Sequence, residues 1–232
     1  MRKHFYFAIL FFAMTKNLEI GGLQLQNNTV RESIMLVERA ITDQGFVAME
    51  EVTLHTLLVA EENEKVAEGL KMLDHSIIAD VGILLAAKQG SMQRKFEIED
   101  HTFFFELMKR LERNNKRIFL LGETKEKIAE RVKFFLTRFP KLQIAGTGAL
   151  EDCIGTDEAL VNNINGLSPD VIICLLPSPT QELFLLEHKE KISANLWYGM
   201  GEINPSEDRP GFLARLKKWR QRKDLEKIIW LK

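Results

Sequence analysis

The chain has 232 residues, 45% of them hydrophobic and 28% charged, with a formal net charge of −1. Such a composition suits an ordinary globular protein with ample core, and nothing in the overall charge points to nucleic acid. The two cysteines, Cys153 and Cys174, exclude a disulfide framework, no Cys/His cluster has zinc spacing, and a reducing cytoplasm is the natural compartment.

Residues 1–4 are basic and the next ten or so, 5–14, are apolar, a run too short for a bilayer that takes about 20 residues to span. Three readings stand: a membrane-surface anchor, an uncleaved signal-like segment with no small-x-small cleavage site, or an upstream start ahead of Met14. The last is favoured, because domain-like sequence begins at Leu18-Glu-Ile-Gly-Gly-Leu23. Segments 1–13, 14–208 and 209–232 are thus expected to be an extension, an α/β domain and a basic tail.

Residues 18–25 alternate apolar and polar around Gly21-Gly22, which predicts a strand or hairpin. Thr29-Val-Arg-Glu32 matches a capping box, and Val30, Ile34, Val37 and Ile41 share one face of the helix it opens, with Gly45 at its end. A strand over 46–52 leads through Thr53 and His55 into a helix running to about residue 73. Residues 77–80 form a short strand ending on Asp80, with a helix at 82–88, a charged loop at 94–100 and an amphipathic helix at 103–113. A strand over 117–122 closes on Gly122; Thr124 is set to cap a helix over 126–139, with Pro140 beyond it. A strand over 142–145 closes on Gly146-Thr147-Gly148, Thr156 caps a helix to about residue 165, and residues 171–176 form a strand. A helix opens at Ser178, and a last strand at 196–199 precedes a basic C-terminal helix. Strands alternating with helices of ten to fifteen residues imply βαβ units. The expected fold is α/β, Rossmann-like and doubly wound around a mostly parallel sheet, with a basic C-terminal helical appendage.

Several stretches could carry chemistry. Asp80 ends a strand where open α/β sheets build their ligand crevice, although Asp is also a common helix cap. Gly122, Thr147 and Gly199-Met-Gly201 sit at expected strand-to-helix turns, where helix N-termini favour phosphate; Gly122 and Thr147 are the better candidates. None completes a dinucleotide or P-loop fingerprint. Ser178-Pro-Thr-Gln-Glu182 reads as a capping box that sets Thr180, Gln181 and Glu182 at the sheet's carboxyl edge. His55 is the one histidine at a strand end, no serine-nucleophile elbow stands out, and neither a metal nor a cofactor is indicated. From Arg209 to Lys232, nine Lys/Arg face Asp224 and Glu226, with Phe212, Leu216 and Trp219 on one helical face and Ile228, Ile229 and Trp230 clustered beyond. That pattern suits either an interfacial helix on anionic lipid or a docked helix with a solvated charged face.

Taken in order, these pieces resemble the WecG/TagA/CpsF family of bacterial glycosyltransferases over most of residues 18–210. The resemblance rests on Val52-Thr-Leu-His55, Ile78-Ala-Asp80, Lys116-Arg-Ile-Phe-Leu-Leu-Gly122 and Arg138-Phe-Pro-Lys-Leu-Gln-Ile-Ala-Gly-Thr147. It continues through Ile164-Asn165, Ser168-Pro-Asp-Val-Ile-Ile173, Pro179-Thr-Gln-Glu182, Gly199-Met-Gly201 and Arg209-Pro210. It implies transfer of an N-acetylmannosamine-type hexose from a UDP-sugar to a polyprenyl-diphosphate-linked sugar, in wall teichoic acid, common-antigen or exopolysaccharide synthesis. The family's general base maps onto Asp80, with Thr53 beside it. His55, Gly122, Thr147, Gln181, Glu182 and Arg209 are the implied substrate-binding positions. The implied location is cytoplasmic, at the inner face of the plasma membrane, with self-association left open. Departures are Val81 after the acid, His55 for an asparagine, Asp100-His-Thr102 for a Gly-x-Asp, Glu123 for a glycine, Thr180 for a lysine, Leu175-Leu176-Pro177 without the usual glycines, and Asn204 for an acid. They leave a second reading: a degenerate relative that binds a sugar nucleotide, or a partner glycosyltransferase, without turnover.

Overall fold

A computed structural model of the chain describes residues 17–43, 45–205 and 212–230. The apolar segment at 1–13 and Arg209 lie outside the described residues, as do the side chains of Phe212 and Leu216.

The strands read from the sequence assemble into two sheets. β1 (Asn17–Ile20) and β2 (Leu23–Gln26) form an antiparallel hairpin turned by Gly21 and Gly22, both at positive φ (56° and 78°), which glycine adopts without Cβ strain. The six other strands are β3 (Val47–Val52), β4 (His75–Ile78), β5 (Arg117–Gly122), β6 (Gln143–Ala149), β7 (Val171–Cys174) and β8 (Leu196–Gly199). They make one sheet in the order β4-β3-β8-β7-β5-β6, with every pairing parallel. β4 is an edge, and the hairpin covers it: Gln26 N–H donates to Ser76 Oγ (3.0 Å), and Ser76 N–H to Gln26 Oε1 (2.7 Å).

Helices lie on both faces, as the runs Val-Ile-Ile-Cys and Ile-Phe-Leu-Leu require by being buried throughout. On one face pack α1 (Val30–Asp43), α6 (Thr102–Arg113) and α7 (Lys125–Arg138), against Met49, Ile118, Leu120, Ile173 and Tyr198. On the other lie α2 (Leu54–Glu62), α3 (Glu64–Lys71), α8 (Glu158–Leu167) and α9 (Thr180–His188). The fold is doubly wound, as expected. The capping box also forms: Thr29 N–H donates to Glu32 Oε2 (2.7 Å), and Glu32 N–H to Thr29 Oγ1 (3.3 Å).

Four local expectations are corrected. The helix from Thr53 breaks at Asn63, whose extended backbone (φ −134°) ends α2 while its side chain caps α3. The charged stretch at 94–100 is not a loop but α5 (Met92–Glu99), which follows α4 (Val81–Ala86); Ser91 caps it, Ile98 turns inward, and Arg94 pairs with Glu97 at 2.6 Å. Residues 146–148 do not turn. β6 runs through them, and the missing Cβ atoms of Gly146 and Gly148 make room for Leu167 and Leu160 of α8 and for Phe119. Thr156 does not cap α8; Asp157 holds the N-cap position, with no side-chain cap bond.

α10 (Phe212–Trp230) is docked rather than free. Its Leu225 is fully buried, and Ile228 and Ile229 join the apolar cluster beneath the hairpin, while the helix lies along α2 and α4. Among the described residues no helix is long and apolar enough to cross a membrane.

α3 and α9 touch at backbone distance: a Cβ on Gly69 would sit 2.9 Å from the carbonyl oxygen of Glu182. Gly69→Ala should therefore destabilise the protein by about 1–3 kcal/mol, although alanine in an open helix gains roughly 1 kcal/mol over glycine. Urea unfolding measures it, and an unchanged or raised midpoint would refute so close an approach.

Candidate active site

Parallel strands send their carboxyl ends to one edge, and the residues that follow β3 and β4 meet there. The two strands pair in register at Val52 and Ile78, and Ala79 N–H donates to Val52 O at 2.9 Å. Thr53 and Asp80 therefore follow adjacent strand ends. Each begins a helix. Thr53 Oγ1 accepts the Thr56 N–H (3.2 Å) and closes a capping box on α2. Asp80 Oδ1 accepts the Gly82 N–H (2.8 Å) and caps α4. The expected cap at Asp80 thus forms. Its second oxygen, Oδ2, is unused by the cap and lies 3.2 Å from Lys218 Nζ, which α10 carries across the strand end. Asp80 is buried, whereas Lys218 is half exposed.

A cleft of about 390 Å³, counted with its open mouth, reaches Ala79, the residue before Asp80. Its polar lining includes Ser33, Glu51, Ser76, Arg94, Glu97 and His101. Burial, followed by the Lys218 ammonium, holds the His101 imidazole below its usual range, so this ring is neutral near pH 7. Arg94 is held between Glu97 (2.6 Å) and Asn27 Oδ1 (3.3 Å). Deeper in, His75 Nε2 meets Ser33 Oγ at 3.0 Å, and burial with the nearby Arg94 charge lowers its pKa to about 4. Glu51 hydrogen-bonds the Tyr198 hydroxyl, and its burial raises its pKa to about 7. The cleft thus offers a guanidinium, a neutral imidazole and a protonatable carboxyl beside an aspartate–lysine pair. Glu51, Arg94, His101 and Lys218 were not singled out from the sequence. Two successive acids in a strand that is otherwise buried were the available signal for Glu51; nothing in the sequence brings Lys218 to Asp80.

The other expected positions separate. His55 is exposed on the first turn of α2. Gly122 ends β5, four strands from β4, or about 19 Å at the usual strand spacing; a Cβ there would overlap Ile128 of α7. Thr147 lies exposed within β6, about 24 Å away by the same spacing, and not at a helix N-terminus. The capping box expected at Ser178 is absent. α9 starts at Thr180, with Pro179 as its N-cap residue, and the Gln181 side chain turns instead to β8, where its Oε1 accepts the Gly201 N–H at 3.0 Å. A Cβ on Gly199 would overlap that amide, so the glycine turn after β8 and Gln181 are built for each other. Glu182 is fully buried and stands beside the equally buried Glu50 of β3. Burial, and then the Glu182 charge, push the Glu50 pKa well up.

The chain is similar in sequence to known proteins. The family model described as the WecG/TagA/CpsF family of glycosyl transferases matches residues 18–226. The chain is 22% identical over 142 residues to an N-acetylglucosaminyldiphosphoundecaprenol N-acetyl-beta-D-mannosaminyltransferase of Bacillus spizizenii, covering 61% of this chain and 54% of that protein. A protein of the same name from Staphylococcus aureus strain NCTC 8325 is 22% identical over 190 residues, covering 81% of this chain and 74% of its own length. The chain thus spans about half of the Bacillus relative.

Glu51 makes stability depend on pH. Folding raises its pKa from 4.5 to about 7, so the folded state holds a proton that the unfolded chain releases above pH 4.5. Stability should fall as pH rises from about 4.5 to 7, by up to roughly 3 kcal/mol, and level off above. Glu51→Gln should flatten this dependence in thermal melts between pH 5 and 8; parallel curves for the two proteins would rule it out.

Proposed function

The chain belongs to the WecG/TagA/CpsF family of glycosyltransferases, and on that premise we propose that it transfers an N-acetylmannosamine-type hexose from a UDP-sugar to a polyprenyl-diphosphate-linked sugar in cell-surface polysaccharide or teichoic acid synthesis. The observation that carries this reading is Asp80: a buried carboxylate that follows a strand end, oriented through one oxygen by the Gly82 N–H and held through the other near Lys218. Asp80 acts as general base. It takes the proton of the acceptor hydroxyl, whose oxygen attacks the anomeric carbon from the face opposite UDP. One glycosyl bond forms as the other breaks, UDP departs with the electron pair, and the anomeric configuration inverts. A carboxylate fixed by two contacts has little reorganisation left to make, which is how a general base gains from a rigid site.

Thr53 and His55 border the acceptor side, with the cleft around Arg94 and His101 behind them. The donor runs along the carboxyl ends of β8, β7 and β5, where Gln181 shapes the glycine turn and Gly122 closes the far side. Thr147 and Glu182 are left out, for the reasons of position and burial given above. Developing negative charge on the departing diphosphate needs positive charge nearby, and α10 has seven Lys/Arg against two acids. The same helix supports a peripheral position at the inner face of the membrane, beside a lipid-linked acceptor. Half-exposed Trp219 and the exposed Leu85, Met92 and Phe96 sit on α10, α4 and α5.

Asp80→Asn separates the two duties of the side chain, because asparagine caps a helix as well as aspartate does. Turnover in a UDP-release assay, with a panel of UDP-sugars and a polyprenyl-diphosphate-linked N-acetylglucosamine, should fall at least 100-fold or so while the melting temperature holds. Near-normal release by this variant would sink the assignment. Thermal shifts with UDP-sugars but no release by the wild type would instead favour binding without turnover.

Reversing two exposed charges, Lys217→Glu with Arg220→Glu, should lower co-sedimentation with anionic vesicles by about tenfold or more, at roughly 1 kcal/mol for each basic residue. Undiminished pelleting would remove the membrane role.

A further inference from the structure

Behind the sheet, away from β4 and Asp80, the last turn of α9 meets the start of α8. His188 is fully buried there, at the end of α9, against the ring of Phe184 (4.6 Å between centroids). Its Nε2 lies 2.8 Å from Asp157 Oδ2, yet the carboxylate is off the axis of a ring N–H, and neither ring nitrogen makes a hydrogen bond. Asp157 stands at the N-cap of α8 but does not cap it. The neighbouring Glu187 is exposed and completes a set in which one ligand atom from each residue lies within 4.8 Å of the others.

A hydrogen-bonded Asp–His pair would align the N–H with an oxygen. Here a ring nitrogen and two carboxylates converge, and no hydrogen bond joins the ring to either. Two ligands that hold one ion at about 2.1 Å and near right angles are themselves about 3 Å apart, close to the separation of Nε2 and Oδ2. One imidazole with two carboxylates is a donor set for a divalent transition metal, harder than the thiolate sites of structural zinc and softer than the all-oxygen sites of calcium. Three protein ligands would leave one or more positions for water.

We propose that Asp157, Glu187 and His188 form a binding site for a divalent transition-metal ion that fastens the 150–157 segment to the end of α9. That segment leaves β6 and passes beside β5, where Glu151 N–H donates to Glu123 O (3.0 Å) and Lys125 N–H to Glu151 Oε1 (2.6 Å). The first turn of α9 carries Gln181. An ion at its last turn would therefore brace both the helix that presents Gln181 and the loop that borders the far end of the carboxyl edge. The site is independent of the transfer reaction proposed for Asp80, and its ligands serve no step of it.

The full chain, treated with chelator and dialysed, is titrated with Co²⁺ followed by visible absorption and with Zn²⁺ followed by calorimetry. One ion per chain is expected, with a Co²⁺ d–d band and a melting temperature raised by about 5 °C or more at a hundredfold excess over Kd. Asp157→Asn and His188→Gln should abolish binding. Because His188 is buried and its variant can fail to fold, the exposed Glu187→Gln is the safer probe and should weaken binding at least tenfold or so. Absence of stoichiometric binding by the wild type would overturn the site, as would equal affinity in wild type, Asp157→Asn and Glu187→Gln. Asp80→Asn should bind the ion as the wild type does, so a failed transfer assay leaves this result standing and the reverse holds too.

Discussion

The six-stranded parallel sheet is covered on both faces, and that constraint arranges everything else. Backbone groups inside it are satisfied strand to strand, and its side chains are apolar almost throughout. Polar chemistry is left to the carboxyl edge, where strands end and helices begin. Helix starts there carry unpaired N–H groups, so the residues most able to cap them, Thr53 and Asp80, are also the residues best placed to meet a ligand. Capping and chemistry are two uses of one location. A carboxylate has two oxygens, and Asp80 commits one to Gly82 and leaves the other facing Lys218.

The cation beside Asp80 arrives from the far end of the chain. α10 is held by apolar burial, through Leu225, Ile228 and Ile229, and not by its charges. Its ion pairs are largely exposed, as for Lys227 with Asp224, and exposed pairs contribute little to stability. The apolar side anchors the helix, and Lys218 on its charged side reaches Asp80.

Where polar groups do enter the sheet, their burial changes their chemistry. Glu50 and Glu51 are consecutive in β3 and so point to opposite faces. Glu51 finds the Tyr198 hydroxyl; Glu50 finds Glu182 of α9. Both sit above the usual carboxylate range: burial outweighs the Tyr198 hydrogen bond at Glu51, and at Glu50 the Glu182 charge adds to the effect of burial. Gln181 and Glu182 illustrate the same divide within one turn. The amide reaches Gly201 at the edge, and the acid next to it points into the packed layer.

The sequence by itself determined the order of strands and helices, the hairpin at Gly21-Gly22 and the Thr29 cap, since each is set by periodicity or by contacts within a few residues. It also singled out Asp80, through its place after a short buried strand, and the family resemblance added Thr53. It misread 94–100 because a run of charges looks like a loop until Arg94 and Glu97 are seen to pair along a helix with Ile98 turned inward. Gly146 and Gly148 misled for a related reason: glycine marks a turn or a close approach, and only the packing of Leu160 and Leu167 tells which. Tertiary structure alone decided that Lys218 stands at Asp80, that Glu182 is buried against Glu50, and that Thr147 lies five strands from the site. Those facts depend on strand order and helix docking. Both are fixed by burial summed over the whole core, which no local stretch of sequence encodes.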